Sequence, residues 1–305
     1  APIGALNIAN EQCCIGRGLA ALTANEALCD LKYLWYGLEC KVDELNSKGT
    51  GSTFKAINKK ILAETEIYLP SLEEQRRIAA LLDKVSGLIA KRRAQLDKLD
   101  LLIKARFVEI FGDPSVNTKW STMKLSQLGE LNRGVSKHRP RNDPRLLGGA
   151  YPLIQTGDVS NSGLYILNYS STYSELGLEQ SRLWKSGTLC ITIAANIAHT
   201  SILTFDACFP DSVVGFVPND NTNSVFVHYW FSFFQKILEE QAPQVAQKNI
   251  NLKILSDLDV IVPPYTLQED FSAFVGQVEK SKLTIQQSLD KLETLKKALM
   301  QQYFG

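Results

Sequence analysis

Charge of one sign is what this sequence most plainly lacks. Across 305 residues, 33 Lys and Arg meet 32 Asp and Glu, for a formal net charge of +1. A global field for nucleic acid is thereby excluded, and any such site has to be a local patch. No apolar run approaches 18 residues and no signal peptide is present, so nothing points to a membrane or to export. The six cysteines (Cys13, Cys14, Cys29, Cys40, Cys190, Cys208) show no CxxC and no paired zinc spacing. They read as reduced, mostly buried thiols of a cytosolic protein. Histidine is sparse and scattered at His138, His199 and His228, and His228 beside Tyr229 and Trp230 reads as packed rather than liganding. There is no P-loop, no GxSxG and no glycine-rich cofactor loop. What is present, 45% hydrophobic and 21% charged residues, is the composition of an ordinary folded protein.

One stretch organises the rest. Pro70 ends what precedes it, and Ser71 with Glu74 three residues later forms a helix start, with Glu73 adding charge to the first turn. No further proline occurs before Phe111, after which Gly112-Asp113-Pro114 stops the helix. About forty residues of helix would run about 60 Å. Leu82, Val85, Ile89, Arg92, Leu96, Leu99, Ile103, Arg106 and Ile110 alternate steps of three and four, the spacing of a coiled-coil seam.

The chain supplies a partner for that seam. Lys55–Gly112 aligns without a gap on Lys248–Gly305, an offset of 193 residues (248 less 55), with roughly a third of positions identical. Asn58/Asn251, Pro70/Pro263, Gln75/Gln268, the Leu-Asp-Lys-Leu of 96–99 and 289–292, and Phe111-Gly112/Phe304-Gly305 are among the matches. Arg92 and Arg106 correspond to Ile285 and Leu299, while Ile89 and Ile103 correspond to Lys282 and Lys296, so the two seams are complementary. The expectation is an intramolecular, antiparallel pair of long helices.

Before the first helix, Ile3, Leu6 and Ile8 fit one strand and Cys14-Ile15 another. Ala24–Leu45 then reads as helical, with Leu28, Leu31, Leu34, Trp35 and Leu38 on one face. Residues 115–262 carry strands at Tyr151–Ile154, Leu164–Leu167, Thr188–Ile193, Ser201–Phe205 and Val213–Val217, a helix near 224–240 and a last strand at Leu258–Val262. The fold class expected is α+β, with a mainly antiparallel, barrel-like or sandwich sheet and a pair of long antiparallel coiled-coil helices. Because Val225–Glu240 has a counterpart near Tyr33–Tyr36, the first half is expected to hold only the tail of a domain that the second half holds complete.

The loop Arg133–Arg145 carries Arg133, Lys137, Arg139, Arg141 and Arg145 against one Asp143. Such a loop suits phosphates, and arginine also reads guanine edges. Gln155, Thr156, Asp158 and Asn161 follow, polar groups of the kind that contact bases. Val262-Pro263-Pro264-Tyr265 has the outline of the Pro-Pro motif of amino-group DNA methyltransferases. Val replaces the residue that would bind the target amine, so the stretch reads as a strand-to-helix break.

The run IYLPSLEEQRRIAALLDKVSGLIAKRRAQLDKLDLLIKARFVEIFGDP resembles the central conserved region of type I restriction–modification specificity (S) subunits, and Val262–Gly305 resembles the matching distal region. GVSKHRPRNDPRLLGGAYPLIQTGDVSN and LWKSGTLCITIAANIAHTSILTFDACFPDSVVGF are similar to the opening and middle of that family's target-recognition domain. The resemblance divides the chain into a remnant of a first recognition domain (1–69), a central long helix (70–114), a complete second recognition domain (115–262) and a distal long helix (263–305). It implies that the family's first domain begins well before Ala1.

It further implies a subunit without catalytic activity or cofactor of its own, whose recognition domains each read half of a split double-stranded DNA target. The paired helices would set the distance between half-sites and dock two methyltransferase (M) subunits carrying S-adenosylmethionine, which restriction (R) subunits can join. By the same resemblance Arg133, Lys137, His138, Arg139, Arg141 and Arg145 belong at phosphates or bases, followed by Gln155, Thr156 and Asp158, then Lys248 and Asn249. Arg17, Lys48, Ser52 and Lys55 are weaker candidates in the remnant, and Arg76, Arg77, Arg92 and Arg93 are candidates for the methyltransferase interface. Two other readings stay open: a coiled-coil adaptor that reads no DNA, and a shortened S subunit acting as a homodimer.

Overall fold

The structure, a computed structural model, describes residues 3–51, 55–116, 119–194, 196–241 and 250–305, with the backbone alone at 115 and 234–241. In chain order the elements are α1 (Leu31–Cys40), α2 (Val42–Ser47), α3 (Lys59–Ala63), α4 (Leu72–Phe111), β1 (Thr122–Lys124), β2 (Gly129–Arg133), β3 (Leu147–Leu153) and α5 (Thr156–Asn161). β4 (Tyr165–Ile166), β5 (Ser171–Tyr173), α6 (Glu175–Glu179), β6 (Leu183–Trp184), β7 (Leu189–Thr192) and β8 (Thr200–Leu203) follow. The chain ends with β9 (Ala207–Cys208), β10 (Val213–Pro218), α7 (Ser224–Gln241), α8 (Leu252–Ser256), β11 (Asp259–Ile261) and α9 (Tyr265–Phe304). Ala1–Leu99 with Ser281–Gly305 make one compact unit, and Asp100–Lys280 the other.

In the first unit, α4 starts as its sequence dictates, with the Ser71 hydroxyl accepting the Glu74 N–H at 3.3 Å. Leu82, Val85 and Ile89 are buried, and Val85 and Ile89 pack with Leu289, flanked by Leu96, Leu292 and Leu299. Ile78, Ala79 and Leu82 meet Phe304 with Met300 and Tyr303 beside it, so the helices run antiparallel. The seam position Arg92 is accommodated at the rim, where its guanidinium reaches Gln95 at 2.8 Å.

The chain before α1 departs from expectation. Among the described residues no strand forms between 3 and 30, and Ile8, Ile15 and Leu22 are exposed. Apolar spacing alone does not make a strand: without a neighbouring ladder its backbone groups keep their bonds to water. The helix starts at Leu31, not Ala24, because Asp30 caps it by accepting the N–H groups of Lys32 and Tyr33. That start turns Tyr33, Tyr36 and Gly37 inward, leaving Leu28 and Leu31 exposed instead of on the buried face. The cysteines differ as well. All six are free, but only Cys190 and Cys208 are buried, Cys29 and Cys40 are half-buried, and Cys13 and Cys14 are exposed.

The second unit holds sheets of five strands (β2-β10-β7-β8-β4), four strands (β5-β3-β9-β6) and two strands (β1-β11), mostly antiparallel, with parallel pairs at β3/β9 and β4/β8. One core cluster draws Cys190, Leu203 and Val213 from the five-stranded sheet and Trp184 and Ala207 from the four-stranded one, the sandwich alternative rather than a barrel. Trp184 stacks on Phe209 with centroids 4.9 Å apart. A Cβ at Gly215 would lie 2.5 Å from that indole, so β10 passes beneath it only as glycine. Where α4 and α9 enter this unit, Phe107 and Phe111 meet Phe271 at 5.4 and 5.6 Å, again antiparallel. Arg106 pairs with Glu109 at 2.8 Å and lies 5.9 Å over the Phe274 ring.

The sequence repeat is a repeat of contacts. In the first unit the buried Gln75 amide donates to the carbonyls of Leu28 (2.9 Å) and Pro70 (2.8 Å). In the second, its mate Gln268 donates to Asn221 and Pro263, each at 3.0 Å, positions that are themselves 193 residues on. Tyr33 against Phe304 (4.8 Å) recurs as Phe226 against Phe111 (5.0 Å). Asn58 and Asn251 cap α3 and α8 alike, each accepting a backbone N–H at 2.9 Å. The prolines of 262–265 do make the break between β11 and α9, with the Pro263 carbonyl held by Gln268.

Candidate nucleic-acid interface

β2 delivers Arg133 to the start of the basic loop, and Gly134 then passes too close to the carbonyls of Phe209 and Pro210 for any side chain, a built Cβ falling 2.2 Å and 2.4 Å from them. The loop is pinned from outside by Gln180, whose side-chain oxygen accepts the N–H groups of Lys137 (2.7 Å) and His138 (3.0 Å). Ser181 adds a bond to the Val135 carbonyl at 2.8 Å. At its far end Asp143 caps the turn Pro144–Leu146 by accepting the Arg145 N–H at 3.0 Å.

Two carboxylates organise the cations. Asp143 takes the Arg145 guanidinium (2.7 Å) and His138 Nε2 (3.0 Å). Asp211 takes Arg141 at 2.5 Å, with Arg139 at 3.9 Å, while its carbonyl accepts Arg133 Nε at 3.0 Å. Arg139 also turns back on the carbonyls of Ser136 and His138, at 2.6 and 2.8 Å. Of the loop's five cations, Arg139, Arg141 and Arg145 therefore face two carboxylates, not the one carboxylate counted along the loop's own sequence. Lys137 is exposed, and its ammonium pairs with none of the described carboxylates.

Asp211 and Gln180 escaped sequence reasoning because they lie 70 and 43 residues from their partners. No spacing in a single sequence connects such pairs.

The polar group downstream of the loop has structural work of its own. Gln155 precedes α5, and Asp158 accepts its N–H at 2.8 Å and the Ser170 hydroxyl at 3.1 Å. Thr156 opens α5 half-buried, and Asn196 bonds Ser160 at 2.8 Å. Arg182 is a further cation here, lying 3.9 Å over the Trp184 ring and 3.0 Å from Glu130. His228 is packed as expected, its Nδ1 2.9 Å from the Thr200 hydroxyl.

Arg17, Lys48 and Lys55 belong to the first unit, so they are not built into this loop. Arg17 is exposed, Lys48 pairs with Glu44 at 2.6 Å, and Lys55 adjoins the small Thr50–Ala56 bridge. Ser52, Lys248 and Asn249 lie outside the described residues. Of the helix arginines, Arg76 is exposed, Arg77 is forked onto Glu74 (2.6 and 2.8 Å), and Arg93 crosses between the helices to Glu293 at 2.6 Å. Among the described residues no group of three His, Cys, Asp or Glu is placed to hold a metal, and no helix is long and apolar enough to cross a membrane.

Arg145, through its side chain and then its backbone N–H, holds the Asp143 carboxyl well below the usual carboxylate range, with His138 assisting. A carboxyl depressed in the folded state contributes stability that is complete above its unfolded pKa of about 3.9 and drains away as pH falls below it. The urea midpoint of the native chain should therefore fall more steeply between about pH 4 and about pH 2 than that of Asp143→Asn. Parallel curves would mean that the carboxylate is unpaired in solution.

The profile of the type I restriction modification DNA specificity domain matches residues 1–99 and 117–296. The MjaX specificity subunit of Methanocaldococcus jannaschii is 39% identical over 100 residues, a stretch covering 33% of this chain and 24% of that protein. The MjaVIII subunit of the same organism is 33% identical over 107 residues, again 24% of its length. These matches thus span about a quarter of those relatives. The Escherichia coli EcoBI specificity subunit aligns more broadly, at 21% identity over 97% of this chain and 69% of its own. A solved structure concerned with assembly and conformational transition of the type I R-M system superposes with a TM-score of 0.59 at 19% identity, over 92% of this chain and 72% of the other. An S subunit from M. genitalium gives 0.55 at 17% identity, over 92% and 74%. With a profile match over most of its length and this fold behind it, the chain belongs to the type I restriction–modification DNA specificity family.

Proposed function

We propose that the chain is the DNA sequence-recognition subunit of a type I restriction–modification complex, reading a bipartite target and docking methyltransferase subunits, which restriction subunits join. The observation that carries this reading is the loop Arg133–Arg145, where Asp143 and Asp211 hold guanidinium groups in fixed, solvent-facing orientations. A planar fork fixed in advance loses little freedom on meeting phosphate or a guanine edge. Lys137, a flexible point charge, suits a phosphate contact. S-adenosylmethionine and the methyl transfer belong to the partner subunits in this reading.

The test is to combine the chain with its methyltransferase subunit and S-adenosylmethionine and to map N6-methyladenine on random duplex DNA. A split motif is expected. Two inverted copies of one half-motif would identify a shortened subunit working as a pair, and no methylation with no complex would leave a coiled-coil adaptor. On the motif so defined, Arg141→Ala should weaken binding by about 1–3 kcal/mol and relax specificity at one position. Lys137→Ala should weaken all sequences alike and flatten the salt dependence. Equal losses on cognate and random DNA for every loop variant would sink the base-reading role.

A further inference from the structure

The basic loop is held by one pair of strands. β6 and β9 lie antiparallel, with Leu183 opposite Cys208 and Trp184 opposite Ala207. Three residues outward from the Leu183/Cys208 pair, Gln180 and Asp211 fall at matching positions beyond the end of that ladder. Each takes hold of the loop that links β2 to β3. Asp211 takes the Arg141 guanidinium at 2.5 Å, and its carbonyl accepts Arg133 Nε at 3.0 Å. Gln180 works on the main chain: its Oε1 accepts the backbone N–H groups of Lys137 at 2.7 Å and His138 at 3.0 Å.

Between these two holds the loop is threaded along the same strands. Ser181 donates its hydroxyl to the Val135 carbonyl at 2.8 Å, and Gly134 runs against the Phe209 and Pro210 carbonyls too closely for a side chain. The next residue on, Arg182, is tied to the core, lying 3.9 Å over the Trp184 ring and 3.0 Å from Glu130 of β2. Gln180 itself is placed by the end of α6, which it caps by donating its N–H to the Leu178 carbonyl. One end of its amide is idle. Nε2 is buried and meets no hydrogen-bond partner among the described residues. A buried donor left unmet is unfavourable for stability, so what this residue contributes lies in the two N–H groups that Oε1 holds.

We propose that Gln180 is a positioning residue for DNA recognition: it fixes the main-chain path of the Arg133–Arg145 loop, while Asp211 fixes the loop's guanidinium groups. The inference rests on the DNA-reading role of that loop. Hydrogen bonds to base edges weaken steeply with misplacement, so a loop free to slide loses them first. Attraction to phosphates depends on the charge brought near, and a sliding loop keeps it. Gln180 therefore governs the preference for cognate over random DNA, not the affinity for DNA as such.

The test compares Gln180→Met, which keeps the side chain's length without its acceptor, with Gln180→Glu, which keeps the acceptor. In the intact chain Gln180→Met should speed hydrogen exchange at the Lys137 and His138 amides about tenfold and leave β7 and β10 unchanged. Bound to its methyltransferase subunit, it should lose about tenfold or more of its preference for the mapped motif over random DNA. Its affinity for random DNA and the salt slope should stay as they were. Gln180→Glu should restore protection and preference, its added charge weakening cognate and random DNA alike. Ser181→Ala, which frees the same stretch at Val135, should shift preference in the same direction and does not depend on Gln180→Met folding. Equal losses on cognate and random DNA, a preference kept without the acceptor, or no rescue by Gln180→Glu overturns the proposal. A native chain that prefers no motif sinks the DNA-reading role and the positioning role with it, and amide exchange then still shows whether Gln180 holds the loop.

Discussion

Phe271→Ala should lower the unfolding free energy of the second unit by about 3–5 kcal/mol, the range for truncating a buried phenylalanine whose surroundings cannot collapse into the void. Phe271 is 0% exposed and stands among rings that hold one another: Phe107 at 5.4 Å, Phe111 at 5.6 Å and Tyr229 at 5.5 Å, all edge-on. Edge-to-face pairs contribute beyond their buried area, and three are lost together. Urea unfolding followed by hydrogen exchange of α9 amides before Lys280 would measure the change. A loss under about 1 kcal/mol would mean that the cluster repacks and that the two helices meet differently in solution.

Gln268→Leu, though nearly isosteric, should cost the same unit about 2–5 kcal/mol, because it orphans buried polar groups instead of removing them. The amide is wholly buried; it donates to Asn221 and Pro263 and accepts the Thr222 hydroxyl at 2.9 Å. Without it two carbonyls and a hydroxyl lose their partners in a site that leucine keeps dry. The readouts are the thermal midpoint and exchange rates in the first turn of α7, which the Asn221–Asn223 turn precedes. Gln75→Leu should act likewise on the first unit, where the same amide bridges Leu28, Pro70 and the Asp30 N–H. An unchanged midpoint in both variants would show that water replaces the amide.

Those two glutamines also mark the reach of sequence reading. Their identity at matching positions was visible, as was the seam from Leu82 to Ile110, because helical spacing and internal duplication are properties of the chain itself. Six strands of the second unit were equally legible, among them Leu189–Thr192 and Val213–Pro218, largely apolar runs between turn residues, whereas the short or polar β1, β2, β5, β6 and β9 were not read. The role of the glutamines was not, because one acceptor of each lies 47 residues away. The stretch before Leu31 was misread for the opposite reason: its apolar residues suggested strands, but a strand depends on a neighbour that local spacing does not reveal. In the basic loop the cations were evident and their restraint was not, since Asp211 reaches Arg141 from across 70 residues.

That restraint gives the loop a threshold. A guanidinium facing a resident carboxylate 2.5 Å away is already satisfied by one negative charge, so a lone mobile anion gains little by approaching it. To displace Asp211 or Asp143, a visitor has to present several acceptors at once, in the plane of the fork. The two aspartates thus set how the guanidinium groups are presented, a property of the fold rather than of the number of positive charges.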